Sequence, residues 1–176
     1  MIMQRGQQLL LPVRPWFMWG SLLLALLVNM LLNMGLVGRA AWMPDLLALV
    51  LVFWTVNQPL RVGVGIAFWL GLACDVHQGT LLGQHALAYT MLSFLAIAVH
   101  RRLQWFSVWS QVAQIFPLFL ASQLLMLAIR LFLGGQFPGG SIFFAPVLEA
   151  MLWPIVSLLL LLPQKRPPDT DANRPL

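Results

Sequence analysis

Charge is what this sequence has least of. Only 9% of its 176 residues are Asp, Glu, Lys or Arg, against about a quarter in soluble domains. So little polar material cannot cover a water-facing surface, which excludes an ordinary soluble domain. Acid is scarcest: five Asp and Glu in all, with Asp169 and Asp171 in the terminal tail. A single cysteine, Cys74, excludes an intramolecular disulfide and offers no metal cluster. Ten Lys and Arg leave a net charge of +5. They sit singly or in pairs at the ends of apolar runs, not in a solvent-facing patch, so nucleic acid is not an expected partner. No zinc-protease, P-loop or dinucleotide-binding glycine pattern occurs, and no cofactor is expected.

Hydrophobicity is abundant, at 60% of residues, and it is arranged in runs of membrane-spanning character. The first, residues 16–34, is nineteen residues long, or ~28 Å as a helix. It exceeds a signal-peptide core and more runs follow, so it reads as a retained helix. The second, 46–56, is entered through Pro44 and Asp45, a helix-starting pair. The third, 62–75, places Gly63, Ala67 and Gly71 at four-residue spacing, the small-residue pattern of close helix packing. The second and third runs are short enough to be tilted or partly re-entrant. A turn with Gly79 and Gly83 leads to the fourth, 81–99, closed by Arg101 and Arg102. The fifth, 108–133, carries Pro117 inside it, with Gln111, Gln114, Ser122 and Gln123 nearby to satisfy the carbonyl that proline frees. A glycine-rich loop precedes the sixth, 142–162, which contains Trp153 and Pro154.

Basic residues orient these runs. Six spans with the N-terminus inside put Arg5, Arg14, Arg61, Arg101, Arg102, Lys165, Arg166 and Arg174 in the cytoplasm and only Arg39 and Arg130 outside. That bias is the positive-inside pattern. The expected fold is all-α, a polytopic integral membrane bundle of six transmembrane helices with both termini cytoplasmic. Residues 1–162 form the transmembrane domain and 163–176 a disordered cytoplasmic tail. The eight tryptophans serve mostly as interfacial anchors.

Three acids lie outside the tail, Asp45, Asp75 and Glu149, all toward the outer half of the bundle. Intramembrane carboxylates are costly unless paired or wetted, and each is a functional candidate. Arg130, near the end of the fifth run, is in reach of Glu149 across a helix hairpin. The pair reads first as a helix-locking ion pair, with a ligand or partner contact and a proton relay as alternatives. Asp75 at a helix C-terminus is opposed by the dipole and calls for a partner. His77 and the amides of the following turn are in reach, which favours a structural cap over a partner or ligand contact. His77, His85 and His100 fall in no catalytic motif, and His85 with Tyr89 reads as a packed polar pair. The chain is not expected to be an enzyme.

The ordered set Trp42-Met43-Pro44-Asp45-Leu46-Leu47, Pro59-Leu60-Arg61-Val62-Gly63-Val64-Gly65, Gly71-Leu72-Ala73-Cys74-Asp75, Gly79-Thr80-Leu81-Leu82-Gly83 and Leu152-Trp153-Pro154 resembles the bacterial rod shape-determining MreD family over residues 16–162. The polar tail and the glycine-rich fifth loop depart from that pattern. The resemblance implies a non-catalytic inner-membrane scaffold of the elongasome, supporting rod shape and lateral peptidoglycan synthesis. Its implied partners are MreC, MreB, RodA and a class B penicillin-binding protein, besides the lipid bilayer. It also implies a fold similar to the S components of energy-coupling-factor transporters. Gly63, Gly71, Asp75 and Gly83 are where family pattern and physical reading coincide; Asp45, Arg61, Arg130, Glu149, Trp153 and Pro154 complete the candidate structural or partner-contact set. The stripe Gly63, Ala67, Gly71 either docks the single helix of an MreC-like partner or packs internally against the fourth or sixth helix. The alternative function is an S-component-like, small-molecule-binding subunit of a membrane transporter, with an outward pocket lined by Asp45, Asp75, His77 and Glu149.

Overall fold

A computed structural model describes residues 14–33 and 42–164. Arg5, Arg39, Lys165, Arg166, Arg174 and the tail beyond 164 lie outside the described residues. The described chain is all-helical. Helix α1 is Pro15–Leu31, α2 Leu46–Asn57, α3 Val64–Gln78, α4 Gln84–Trp105, α5 Val108–Phe132 and α6 Phe144–Leu161, with 3-10 turns at Gly140–Phe143 and Leu162–Gln164 flanking α6.

Local chemistry sets the helix ends. Pro15 opens α1, where a missing N–H costs nothing. The Asp45 side chain caps α2 by accepting from the Ala48 N–H at 3.1 Å. Helix α3 continues past Asp75 to Gln78 and stops at Gly79, whose φ of 60° suits glycine. Asp75 therefore sits inside α3. Arg101 and Arg102 do not end α4, which runs on to Trp105, because cations are favoured near a helix C-terminus. Gln111 on α5 stitches the α4–α5 turn by donating to the Leu103 and Phe106 carbonyls at 3.0 and 3.1 Å. Its amide is thus spent on the turn and not on the carbonyl freed by Pro117.

Helix α2 is the core of the bundle. Nine of its twelve residues, Leu47–Leu49 and Leu51–Val56, are buried. At ~18 Å it is shorter than a hydrocarbon core, and its length is tolerated because protein surrounds it. Helices α1, α4 and α6 pack on it, α3 and α5 pack on α4, and α6 closes against α5. Phe53 bridges Trp54 and Trp153 of α6 at ring separations of 5.2 and 6.3 Å, and Phe17 of α1 meets Trp54 at 6.0 Å. Such aromatic contacts add about 0.5–1.5 kcal/mol each beyond area burial. The outer surface is apolar instead of polar: Leu23, Leu24 and Leu27 on α1, Trp69 on α3, Phe94 on α4 and Met151, Ile155 and Leu159 on α6 are all exposed. Two segments, Val108–Phe132 and Gly140–Gln164, are long and apolar enough to cross a membrane.

The small-residue stripe faces inward. A Cβ on Gly71 would lie 2.5 Å from the Ala86 Cα and 2.6 Å from the Ala86 nitrogen and the His85 oxygen, so α3 and α4 touch backbone to backbone there. Ala67 is fully buried, and a Cβ on Gly63 would meet only the Pro59 carbonyl, at 3.6 Å. Of the two readings of the stripe, the geometry has the internal one, against α4; at Ala67 and Gly71 no surface remains for a partner helix.

Candidate functional site

The acids of the described residues, with Asn29 and His85, gather at one end of the bundle, and two of the carboxylates are held by neighbours one turn apart on α4. The first is Asp75, completely buried. Its Oδ1 accepts from the Thr80 hydroxyl at 3.0 Å and the His85 N–H at 2.9 Å, and meets His85 Nδ1 at 2.8 Å. Its Oδ2 accepts from the Gly83 and Ala86 N–H groups at 2.9 and 3.2 Å. These amides are the opening turn of α4, which has no side-chain cap of its own because Gly83 stands at the N-cap. A carboxylate from α3 thus fills the capping role, and the positive end of the α4 dipole holds its charge. Gly83 permits this at φ 100°, a conformation that L side chains avoid. His77, the ring expected near Asp75, instead places Nε2 3.2 Å from the Met30 carbonyl of α1; the histidine that reaches Asp75 is His85.

The second carboxylate is Asp45, where four helices meet. Besides capping α2, its Oδ1 accepts from Asn29 Nδ2 of α1 at 3.1 Å, and its Oδ2 accepts a short hydrogen bond from the Tyr89 hydroxyl of α4. The Asp45 N–H donates to Glu149 Oε1 of α6 at 2.9 Å. Glu149 is 5% exposed and turns toward α2 with Ala145 and Trp153. This corrects the expected hairpin ion pair: Arg130 is exposed near the end of α5, and Glu149, whose Oε1 is taken by the Asp45 N–H, is not within ion-pair distance of it. His85 and Tyr89 pack edge to face at 6.0 Å, so one face of α4 carries the rings that hold both carboxylates.

Two connected hollows lie beside this network. A cleft of about 680 Å³ is lined by Asn33, Gln78, Thr80, His85, Gln123 and Arg130, with Met126, Leu127 and Ile142 among its apolar walls. A recess of about 140 Å³ reaches Asn29, Asp45, His85 and Glu149. Asn33, Gln78, His85, Gln123 and Met126 line both. Asp75 and His77 line neither, so the four-residue pocket of the transporter alternative is only half assembled, at Asp45 and Glu149.

The remaining candidates lie apart. Arg61 is exposed in the α2–α3 turn, at the opposite end of α2 from Asp45. Trp153 is buried and donates from Nε1 to Gln111 Oε1 of α5 at 3.0 Å, and Pro154 beside it is buried inside α6. Sequence reasoning missed Asn29, Thr80 and the hydrogen-bonding roles of His85 and Tyr89. The one available signal was the His85–Tyr89 spacing of a single helical turn.

The sequence model of the family described as rod shape-determining protein MreD matches residues 12–163. The rod shape-determining protein MreD of Haemophilus influenzae is 29% identical over 124 residues, which is 70% of this chain and 76% of that protein. No solved structure matches. A match across nearly the whole helical bundle, on a chain with an apolar exterior, places it: the chain belongs to the MreD family of membrane proteins that act in rod shape determination.

Proposed function

We propose that this chain is a non-catalytic scaffold of the elongation machinery in the bacterial inner membrane. In this reading it crosses the membrane six times with both termini in the cytoplasm. It binds MreC and links it to MreB and to the RodA and class B penicillin-binding pair that builds lateral peptidoglycan. The observation that carries the scaffold reading is the use made of its acids. Asp75 is saturated by donors from Thr80 and the start of α4, Asp45 joins α1, α2, α4 and α6, and Glu149 receives the Asp45 N–H. Groups committed in this way hold helices together; a nucleophile or general base has to keep a lone pair for the reacting atom.

Charge placement supports the orientation. Arg14, Arg61, Arg101 and Arg102 lie toward one end of the bundle, and Arg130 toward the other with the cleft. Since Ala67 and Gly71 are closed against α4, an MreC-like helix has to dock on the outer, lipid-facing surface.

A second reading rests on the cleft of about 680 Å³, a volume that suits a small molecule: a transporter subunit similar in fold to the energy-coupling-factor S components. Purification from native membranes in mild detergent, with partners identified by mass spectrometry, separates the two. The scaffold reading expects an MreC-like single-span protein in stoichiometric amount. Recovery of ATPase subunits with a bound small molecule, and no MreC, would replace it with the transporter reading.

A further inference from the structure

Arg130 stands in the last turn of α5, exposed and lining the large cleft. Among the described residues no carboxylate lies within ion-pair distance of it, and the three acids of this region are engaged elsewhere. Its placement is nevertheless built. The Gly135 N–H returns to the Arg130 carbonyl at 2.9 Å, and a Cβ on Gly135 would fall 2.7 Å from the Arg130 Cγ. The loop thus lies directly on the arginine stem, and only glycine leaves room for both.

Lining the cleft with this cation are neutral hydrogen-bonding side chains, Asn33, Gln84 and Gln123, with the Thr80 hydroxyl. His85 joins them; its Nδ1 is held by Asp75, which leaves Nε2 as the ring atom able to face the cleft. The other walls are apolar: Leu81, Met126, Leu127 and Ile142. A guanidinium on a stem lodged against Gly135, among amides and hydroxyls, is the chemistry that recognises a phosphate. An apolar wall beside it, on a chain whose exterior is itself apolar, is the chemistry that receives a hydrocarbon chain. A free inorganic anion would meet the first and leave the second wet.

We infer that the cleft is a binding site for an amphiphile with an anionic, phosphate-bearing headgroup, the phosphate on Arg130 and the proximal chain along Met126, Leu127 and Ile142. This goes beyond the scaffold reading and does not depend on which partners the chain has. The cleft is a discrete site, distinct from general attraction of interfacial arginines to headgroups, because Gly135 and the α3–α4 turn shape it.

The test uses the full chain in maltoside micelles, which carry no phosphate, with bound molecules counted by native mass spectrometry. Three probes are titrated: dioctanoyl phosphatidylglycerol, dioctanoylglycerol and inorganic phosphate. The expected result is one phosphatidylglycerol per chain, held about tenfold or more tightly than either other probe. Arg130→Gln should weaken it by about tenfold, Arg130→Lys by less, and Gly135→Ala should weaken it with Arg130 still present. Arg102→Gln, at the far end of the bundle, should leave it unchanged. Equal binding of dioctanoylglycerol, or indifference to Arg130→Gln, would overturn the site. Inorganic phosphate binding as tightly as the lipid would overturn the amphiphile and leave a free-anion site. An equal loss in Arg102→Gln would reduce the effect to general headgroup attraction.

Discussion

The Asp75 carboxylate meets His85 twice, accepting from its backbone N–H at 2.9 Å and lying 2.8 Å from its ring Nδ1. One side chain of α3 thereby does for α4 what a serine or aspartate at its own N-cap would ordinarily do, and it ties the two helices together at the same time.

Asp75→Asn should consequently be among the costliest isosteric changes in the protein. The amide presents a donor where Oδ2 or Oδ1 now faces N–H groups, so buried α4 amides lose acceptors at roughly 1–3 kcal/mol each. Thermal unfolding in detergent, followed by reaction of the buried, solitary Cys74 with a fluorogenic maleimide, should show a clear drop in midpoint. His77→Gln, on a ring whose one hydrogen bond among the described residues is to the Met30 carbonyl, should move it far less.

At the α3–α4 contact, Gly71→Ala should destabilise strongly, since the new Cβ would strike backbone atoms 2.5 and 2.6 Å away. Gly65→Ala on the same helix meets nothing within 4 Å and should be neutral or slightly stabilising, because alanine is the better helix former by about 0.8–1 kcal/mol. The same thiol assay distinguishes them.

Glu149 and Arg130 should behave as independent residues. In a double-mutant cycle, Glu149→Gln and Arg130→Gln should add within about 0.5 kcal/mol, as unlinked sites do. Tyr89→Phe and Asp45→Asn, whose groups share a hydrogen bond, should show coupling of roughly 0.5–3 kcal/mol in the same experiment.

Topology is open to a labelling test in a Cys74→Ser background. Phe137→Cys, exposed in the α5–α6 loop, should react with an impermeant maleimide added to spheroplasts; Leu60→Cys, fully exposed in the α2–α3 turn, should react only after permeabilisation. The reverse pattern would invert the orientation.

Apolar runs, proline and glycine placement made the six helices legible in the sequence, because in lipid the hydrophobic length of a segment nearly determines its structure. The three acids were legible as well, since an intramembrane carboxylate stands out by its cost. Their partners were not. Asp75 pairs with a residue ten positions later and Glu149 with an amide 104 positions earlier, and which helix face turns inward is decided by packing that a nearly all-apolar segment does not encode. For the same reason Arg130–Glu149, adjacent in the hairpin, looked paired although Glu149 accepts from the Asp45 N–H and no ion pair joins it to Arg130. The burial of α2 was hidden too, as a short apolar run reads alike whether protein or lipid surrounds it.

The proposed scaffold function has Asp45, Asp75 and Glu149 hold helices together and carry out no chemistry. It is tested most directly by plotting rod-shape rescue against the membrane abundance of folded protein for Asp45→Asn, Asp75→Asn, Tyr89→Phe and Glu149→Gln in cells that lack the native chain. All four should fall on the single curve obtained by titrating expression of the unmodified protein, with shape lost only as folded protein is lost. A variant present at full folded abundance in cells that have nevertheless turned round would contradict it, and would assign that carboxylate or hydroxyl a role beyond holding the helices together.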